Sequence, residues 1–141
     1  KSEEAKDGMD MAVCVINTLS KQMQFSGANS PLYLIRNGEI KEFKATPNPI
    51  GLHYNGEREF QNNEIQLHEE DIIYMFTDGF IDQFGGDNDR KFMLNRFNDL
   101  LLSIQDVPLK RQKIILNHTI EKWKGKNIPQ TDDILVIGFK I

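Results

Sequence analysis

The strongest constraint on the fold of this chain is the segment 71–79, Asp-Ile-Ile-Tyr-Met-Phe-Thr-Asp-Gly. Residues 72–76 are apolar or aromatic without a polar gap, which predicts a strand buried on both faces. The strand ends at Asp78-Gly79, a turn signal, because glycine adopts backbone angles that other residues avoid. Placing a carboxylate at the edge of a hydrophobic core costs free energy unless another group compensates its charge. Asp78 is therefore either a turn or N-cap residue or part of a charged site.

A second apolar run begins far downstream. Residues 134–139 predict another buried strand, and Asp132 and Asp133 stand at its entrance. If the two runs form neighbouring antiparallel strands, the end of the first lies beside the start of the second. Asp78 then meets Asp132 or Asp133, and unit charges ~4 Å apart repel by roughly 4 kcal/mol at an effective dielectric near 20. Such carboxylates usually hold a hard divalent cation or share a proton. The alternative is that the two aspartates only begin a strand after a loop.

Size, charge and cysteine content narrow the class of protein. A chain of 141 residues predicts a single domain, 1–141. The net charge of −4 argues against binding to nucleic acid or to anionic membranes, because both need a basic face. The one cysteine, Cys14, excludes an internal disulfide and fits a reducing, cytoplasmic compartment. We expect Cys14 to be a small buried hydrophobe rather than a nucleophile.

The remaining pattern predicts an α+β domain rather than a regular βαβ alternation. Alternation and turn signals predict two hairpins, the second around Asn37-Gly38, and then an edge strand. Apolar residues at helical spacing predict two helices that pack on a sheet, the second beginning near Pro108 and ending near Gly125. The predicted strands span 9–17, 23–28, 32–36, 39–43 and 60–67, with a loop at 45–51, an acidic loop at 85–89, and helical spacing over 93–104 and 109–123.

The motifs in this order resemble the protein phosphatase 2C-like (PPM) serine/threonine phosphatases. The similarity is to their bacterial branch, which contains sporulation stage II E and stress-response sigma-factor regulators. It covers nearly the whole chain from residue 7. The segments that carry it are Gly8-Met9, Gly27-Ala28-Asn29-Ser30-Pro31-Leu32-Tyr33-Leu34, Asn37-Gly38, Pro49-Ile50-Gly51-Leu52, residues 71–79 and Asp132-Asp133-Ile134.

The resemblance implies a two-sheet β-sandwich of mostly antiparallel strands, flanked by helices. It implies that Asp78 and Asp132 are metal ligands, with Asp133 an adjacent candidate, and that the cofactor is two Mn²⁺ or Mg²⁺ ions. Two such ions activate a water for attack on a phosphoester. No cysteine or histidine nucleophile is then needed. The implied substrate is a phosphoserine or phosphothreonine on a regulatory protein, such as an anti-sigma-factor antagonist.

The sequence departs from the family at its beginning. The family's upstream metal aspartate, in a Gly-Asp or Asp-x-x-Gly-His-Gly stretch, has no counterpart, and Asp7 and Asp10 cannot be assigned its role. We therefore expect the C-terminal portion of the catalytic domain, without its N-terminal strands and helices and inactive alone. A sensor or repeat domain would lie upstream, and open sheet edges would allow self-association. The alternative function is a non-catalytic regulatory or protein-binding module on the same scaffold.

Overall fold

The structure, a computed structural model, describes residues 8–51 and 59–141. Asp7 and Leu52, which the sequence analysis names, lie outside the described residues. In the described ranges, no helix has the length and apolar character needed to cross a bilayer. The strands are β1 (Gly8–Met9), β2 (Met11–Asn17), β3 (Gln22–Ala28), β4 (Leu32–Arg36), β5 (Glu39–Phe43), β6 (Ile50–Gly51), β7 (Asn63–Gln66), β8 (Ile72–Phe76), β9 (Phe84–Gly85), β10 (Arg90–Lys91) and β11 (Val136–Lys140), and the helices are α1 (Gly79–Asp82), α2 (Leu94–Ser103) and α3 (Leu109–Lys124).

Two antiparallel sheets form the body of the domain. One has four strands in the order β11-β8-β4-β5, and the other has three in the order β2-β3-β7. Both predicted hairpins, β2–β3 and β4–β5, are confirmed. The long connection that carries α1, α2 and α3 separates β8 from β11, so strands and helices do not alternate regularly in the described part of the chain. The predicted α+β class with mostly antiparallel strands is confirmed.

Strand β8 lies inside the four-stranded sheet, as its unbroken apolar run predicts. It pairs with β4 on one side and with β11 on the other. Its residues alternate between two cores: Tyr74 and Phe76 belong to one and Ile73 to the other. In the pairing with β11, Phe76 lies opposite Val136. The predicted antiparallel neighbours are confirmed, and the end of β8 lies beside the start of β11.

The first core lies between the four-stranded sheet and the helices. Both predicted helical faces contribute to it, so the prediction that the helices pack on a sheet is confirmed. Helix α3 begins after Pro108 and ends at Gly125, whose φ of 66° favours glycine. The Phe97 ring contacts the rings of Phe76 and Phe80, each at a centroid distance of 4.8 Å. These edge-on and tilted contacts hold the end of β8 against α1 and α2.

The second core draws residues from both sheets, which therefore face each other as a sandwich. Met23 and Phe25 come from β3, and Leu32 and Leu34 come from β4. Cys14 packs half-buried against this core, and burial raises the pKa of its thiol. Packing of this kind agrees with the predicted role of Cys14 as a small hydrophobe.

Strand β11 differs from the prediction. It begins at Val136 rather than at residue 134, and it is not buried: Ile137 is 45% exposed. The reason is its place in the sheet, because among residues 8–51 and 59–141 β11 has a partner strand on one side only and forms the edge. An apolar run predicts that a strand has two apolar faces, but it does not tell how many strands flank it.

Four local boundaries also differ from the prediction. Asp10 separates β1 from β2, and the predicted loop at 45–51 ends in β6, which pairs with β1. The predicted strand 60–67 is regular only over Asn63–Gln66, although its position at a sheet edge is confirmed. The acidic loop at 85–89 is the tip of a hairpin between β9 and β10. Strands of only two residues, such as β6 and β9, are too short to produce a recognisable alternation in the sequence.

A buried ion pair fixes the chain just before β8. Asp71 is 1% exposed, and the Arg36 guanidinium donates from Nε to its Oδ1 at 2.8 Å and from Nη2 to its Oδ2 at 2.6 Å. The His68 N–H also donates to Oδ2 of Asp71, at 2.8 Å. Burial by itself raises the pKa of Asp71, but the hydrogen bonds from Arg36 and His68 outweigh it and hold the pKa below its usual range. The carboxylate therefore stays charged at neutral pH.

We expect Asp71→Ala to lower the free energy of unfolding at pH 7 by about 3 kcal/mol, because the partly buried Arg36 loses its partner. The folded pKa of Asp71 is lower than its unfolded pKa of about 3.9. The contribution of Asp71 is therefore present above about pH 4 and is lost as the pH falls through the folded pKa.

Urea unfolding at pH 7 and below pH 4 tests this prediction. The control is Glu69→Ala, which removes an exposed ion pair with Lys21 and should change stability by less than about 1 kcal/mol. An Asp71→Ala variant as stable as the control at pH 7 would contradict the prediction.

Candidate functional site

Asp78 follows β8 and occupies the N-cap position of α1. Its backbone is already helical, with φ of −68° and ψ of −15°, and its side chain makes no capping hydrogen bond. The carboxylate is exposed. Asp78 therefore holds the N-cap position without performing the capping for which aspartate is favoured there.

Thr77 joins the end of β8 to the segment before β11. Its hydroxyl donates to the Asp133 carbonyl oxygen at 2.7 Å and accepts from the Leu135 N–H at 3.0 Å. The Thr77 N–H donates to the Leu135 carbonyl oxygen at 3.0 Å. These bonds extend the contact between the two strands beyond their regular pairing. They bring the main chain of Asp133 to the residue that precedes Asp78.

Gly79 lies directly against the same carbonyl group. A Cβ atom built on Gly79 would stand 2.3 Å from the Asp133 carbonyl oxygen, far inside van der Waals contact. It would also stand 3.3 Å from the Asp132 carbonyl carbon. Only glycine allows this approach of the two backbones. Asp78-Gly79 and Asp132-Asp133 therefore form one junction through the main chains of Gly79 and Asp133. That the Asp78 carboxylate meets Asp132 or Asp133 stays a prediction.

The two downstream aspartates are exposed. The Asp133 N–H donates to Oδ1 of Asp132 at 2.7 Å, and the Gln130 amide donates to the Asp132 carbonyl oxygen at 2.7 Å. The first bond fixes the Asp132 side chain relative to its own backbone. An aspartate held in this way keeps its second carboxylate oxygen as an acceptor.

A pocket of about 220 Å³ opens beside Asp78. Asp10 and Asn29 line it, joined by a hydrogen bond of 2.8 Å from the Asn29 amide to Oδ1 of Asp10. Burial raises the pKa of Tyr33 in its wall, and the nearby Glu42 carboxylate raises it further. The lining residues are Asp10, Asn29, Ser30, Pro31, Tyr33, Glu42, Phe76, Thr77, Asp78, Ile81 and Leu94. The sequence analysis missed Asp10, Asn29 and Glu42 as neighbours of Asp78, because no short-range pattern joins them.

The donor atoms of this region are of the type that hard divalent cations prefer. Mn²⁺ and Mg²⁺ prefer carboxylate oxygens, and Asp78, Asp132 and Asp133 supply only these. Within residues 8–51 and 59–141, however, no three His, Cys, Asp or Glu side chains are grouped so that they could hold a metal ion. The three aspartates therefore have the type of donor atom that a divalent metal ion prefers. The described part of the chain, however, does not bring enough such side chains together to hold the ion by itself.

The sandwich and its helices have the fold of protein phosphatase 2C-type domains. The chain belongs to the Stage II sporulation protein E (SpoIIE) family, whose model matches residues 2–141. The resemblance predicted from the motifs is confirmed. A comparison with curated proteins gave no match.

Several solved structures are similar to this chain. The SiaA-PP2C domain of Pseudomonas aeruginosa is 32% identical, with a TM-score of 0.83 over 94% of this chain and 51% of that one. The phosphatase domain of the cell fate determinant SpoIIE from Bacillus subtilis, presoaked with Mn, is 15% identical, with a TM-score of 0.63 over 94% of this chain and 56% of that one. The RsbU and RsbW domains of Rv1364c from Mycobacterium tuberculosis are 21% identical, with a TM-score of 0.70 over 93% of this chain and 35% of that one. The chain thus spans about half the length of the first two domains that it matches.

Proposed function

We propose that this chain supplies the carboxylate ligands Asp78 and Asp132, with Asp133 as an adjacent ligand, to a metal-dependent protein serine/threonine phosphatase. The phosphatase fold and the family support a phosphatase function. The observation that carries the proposal is the junction of the two backbones, in which Gly79 touches the Asp133 carbonyl group. The junction brings together two segments that carry exposed aspartates, and carboxylate oxygens are the donors that hard divalent cations bind.

The chemistry supplied by bound Mn²⁺ or Mg²⁺ is a water of lowered pKa and neutralisation of charge on the phosphoryl oxygens. Asp78 and Asp132 would bind the cation, and Thr77 would hold their backbones in register through its bonds to Asp133 and Leu135. The pocket beside Asp78, with a volume of about 220 Å³, would receive the phosphorylated side chain. No residue of the chain needs to act as a covalent nucleophile.

The proposed substrate is a phosphoserine or phosphothreonine on a regulatory protein, such as an anti-sigma-factor antagonist in the cytoplasm. This substrate follows from the motif resemblance, and the family match over residues 2–141 agrees with that resemblance. We further propose that residues 1–141 fold as one unit and form the C-terminal portion of a catalytic domain, which is supported by their match to 51% of the SiaA domain. Alone, this portion would be inactive. The edge strand β2 exposes Met11, Val13 and Val15 and is the proposed place of self-association.

Phosphate release by the full-length protein tests the proposed function. Its turnover of a phosphoserine peptide or of p-nitrophenyl phosphate should require Mn²⁺ or Mg²⁺. EDTA should abolish the turnover, and added Mn²⁺ should restore it. Turnover that is unchanged in EDTA would contradict a metal-dependent mechanism.

The second candidate is a regulatory or protein-binding module without catalysis. It is favoured by the incomplete set of metal ligands in the described ranges. The same assay separates the two candidates, because a module of this kind releases no phosphate from any substrate at any Mn²⁺ concentration.

A further inference from the structure

Gln83 is a fully buried polar residue whose hydrogen-bonding groups are all used. It is 0% exposed. Its amide nitrogen donates to the carbonyl oxygens of Phe84 and Pro129, each at 3.0 Å. Its amide oxygen accepts from the Thr131 N–H at 3.3 Å. A buried amide with every group satisfied fixes the backbone segments that it joins.

The two segments that Gln83 joins are those that carry the candidate ligands. Gln83 directly follows α1, whose N-cap is Asp78. Its long-range bonds go to Pro129 and Thr131, and Thr131 directly precedes Asp132. Thr77 makes the equivalent connection on the far side, through the Asp133 carbonyl oxygen. The Asp132-Asp133 segment is therefore held at both of its ends by Thr77, directly before Asp78, and by Gln83 at the far end of α1.

The backbone carbonyl group of Gln83 is also fixed, by hydrogen bonds from Trp123 and Phe92. Its carbonyl oxygen accepts from the Trp123 indole N–H at 3.0 Å and from the Phe92 N–H at 2.9 Å. Next to it, a Cβ atom on Gly85 would stand 2.0 Å from the Trp123 carbonyl oxygen, so the hairpin β9–β10 lies tightly on the end of α3. Gln83 thus connects the candidate ligands to the body of the first core.

We propose that Gln83 is a positioning residue for the metal centre. It would hold the Pro129–Asp132 segment at the spacing from Asp78 that cation binding needs, without contacting the cation. This proposal rests on the proposed metal-dependent function. Outer partners that orient ligands typically change metal affinity or activity by about 10- to 100-fold when they are replaced.

The variants are Gln83→Met, which keeps the length and loses all three amide bonds, and Gln83→Asn, which keeps an amide but shortens the side chain by one methylene group. The matched control is Gln112→Met. Gln112 is 2% exposed, accepts from the Tyr74 hydroxyl and donates to the Val107 carbonyl oxygen at 2.7 Å, but bonds to no residue of the 129–133 segment. Both glutamines are buried and fully bonded, so loss of either should lower the melting temperature.

Two measurements on the full-length protein separate positioning from stability. Mn²⁺ titration by calorimetry should give a Kd that rises about 10- to 100-fold in Gln83→Met, less in Gln83→Asn, and less than about threefold in Gln112→Met. Hydrogen exchange of the metal-free protein should show faster exchange of the peptide containing Thr131 in Gln83→Met and not in Gln112→Met.

The outcomes are distinguishable. If the wild type binds Mn²⁺ and Gln83→Met binds it equally well, the positioning role is overturned while the proposed function stands. Equal losses of affinity in Gln83→Met and Gln112→Met would also overturn it, since stability alone would explain them. If the wild type binds no Mn²⁺, the metal-dependent function itself fails, and the positioning role fails with it. If Gln83→Met does not fold, Gln83→Asn carries the same comparison.

Discussion

Asp78→Asn in the full-length protein is expected to lower Mn²⁺-dependent turnover by about 10³-fold. The substitution removes one unit of negative charge from the proposed cation site while keeping the size of the side chain. Metal-assisted hydrolysis stabilises the transition state by several kcal/mol, and each 1.4 kcal/mol corresponds to about tenfold in rate. The measurement is kcat for phosphate release at saturating Mn²⁺.

The control for this variant is Asp82→Asn in the same short helix. Asp82 pairs with Lys91 at 3.0 Å and does not line the pocket beside Asp78. An exposed pair of this kind contributes no more than about 1 kcal/mol to stability. Asp82→Asn should keep near-normal turnover. Near-normal turnover of Asp78→Asn would contradict the role of Asp78 as a ligand.

Gly79→Ala is expected to damage both the fold and the site. The new Cβ would overlap the Asp133 carbonyl oxygen, 2.3 Å away, so the two backbones must move apart. Overpacking of this kind usually costs about 1–3 kcal/mol, and we expect the upper part of that range because the overlapping atom belongs to the backbone. Movement of Asp133 and Asp132 away from Asp78 should also abolish Mn²⁺ binding.

Urea unfolding and Mn²⁺ titration of Gly79→Ala measure the two effects, and Gly138→Ala is the control. A Cβ on Gly138 would stand 2.9 Å from the Tyr74 ring, so it also overpacks the neighbour of its strand. Gly138→Ala should lose stability but keep Mn²⁺ affinity. If Gly79→Ala binds Mn²⁺ as the wild type does, the close junction is not what brings the ligands together.

The pairing of β8 with β11 could be predicted from the sequence because the signals for both strands are local. An unbroken apolar run that ends in Asp78-Gly79, and another that begins after Asp132-Asp133, are sufficient to predict two adjacent antiparallel strands. The hairpin at Asn37-Gly38 was predictable for the same reason: φ is 53° at Asn37 and 79° at Gly38, the conformations that this dipeptide favours.

Features that depend on distant partners could not be predicted. The partial exposure of β11 follows from the number of strands beside it, which its own residues do not encode. Gln83 looks like an ordinary polar residue in the sequence, and only folding brings it to Pro129 and Thr131. The bond between Asn29 and Asp10 likewise joins residues 19 positions apart. The φ of 55° at Asn29 gives no sequence signal beyond the known tolerance of asparagine for this conformation.

The most direct test of the account is a calorimetric titration of Mn²⁺ into the full-length protein, with Asp78→Asn and Asp132→Asn measured beside it. If Asp78 and Asp132 bind the same metal centre, the wild type will bind Mn²⁺ in the micromolar range, and each variant will lose most of that affinity. Variants that bind Mn²⁺ as tightly as the wild type would contradict a metal centre at the junction of these two segments.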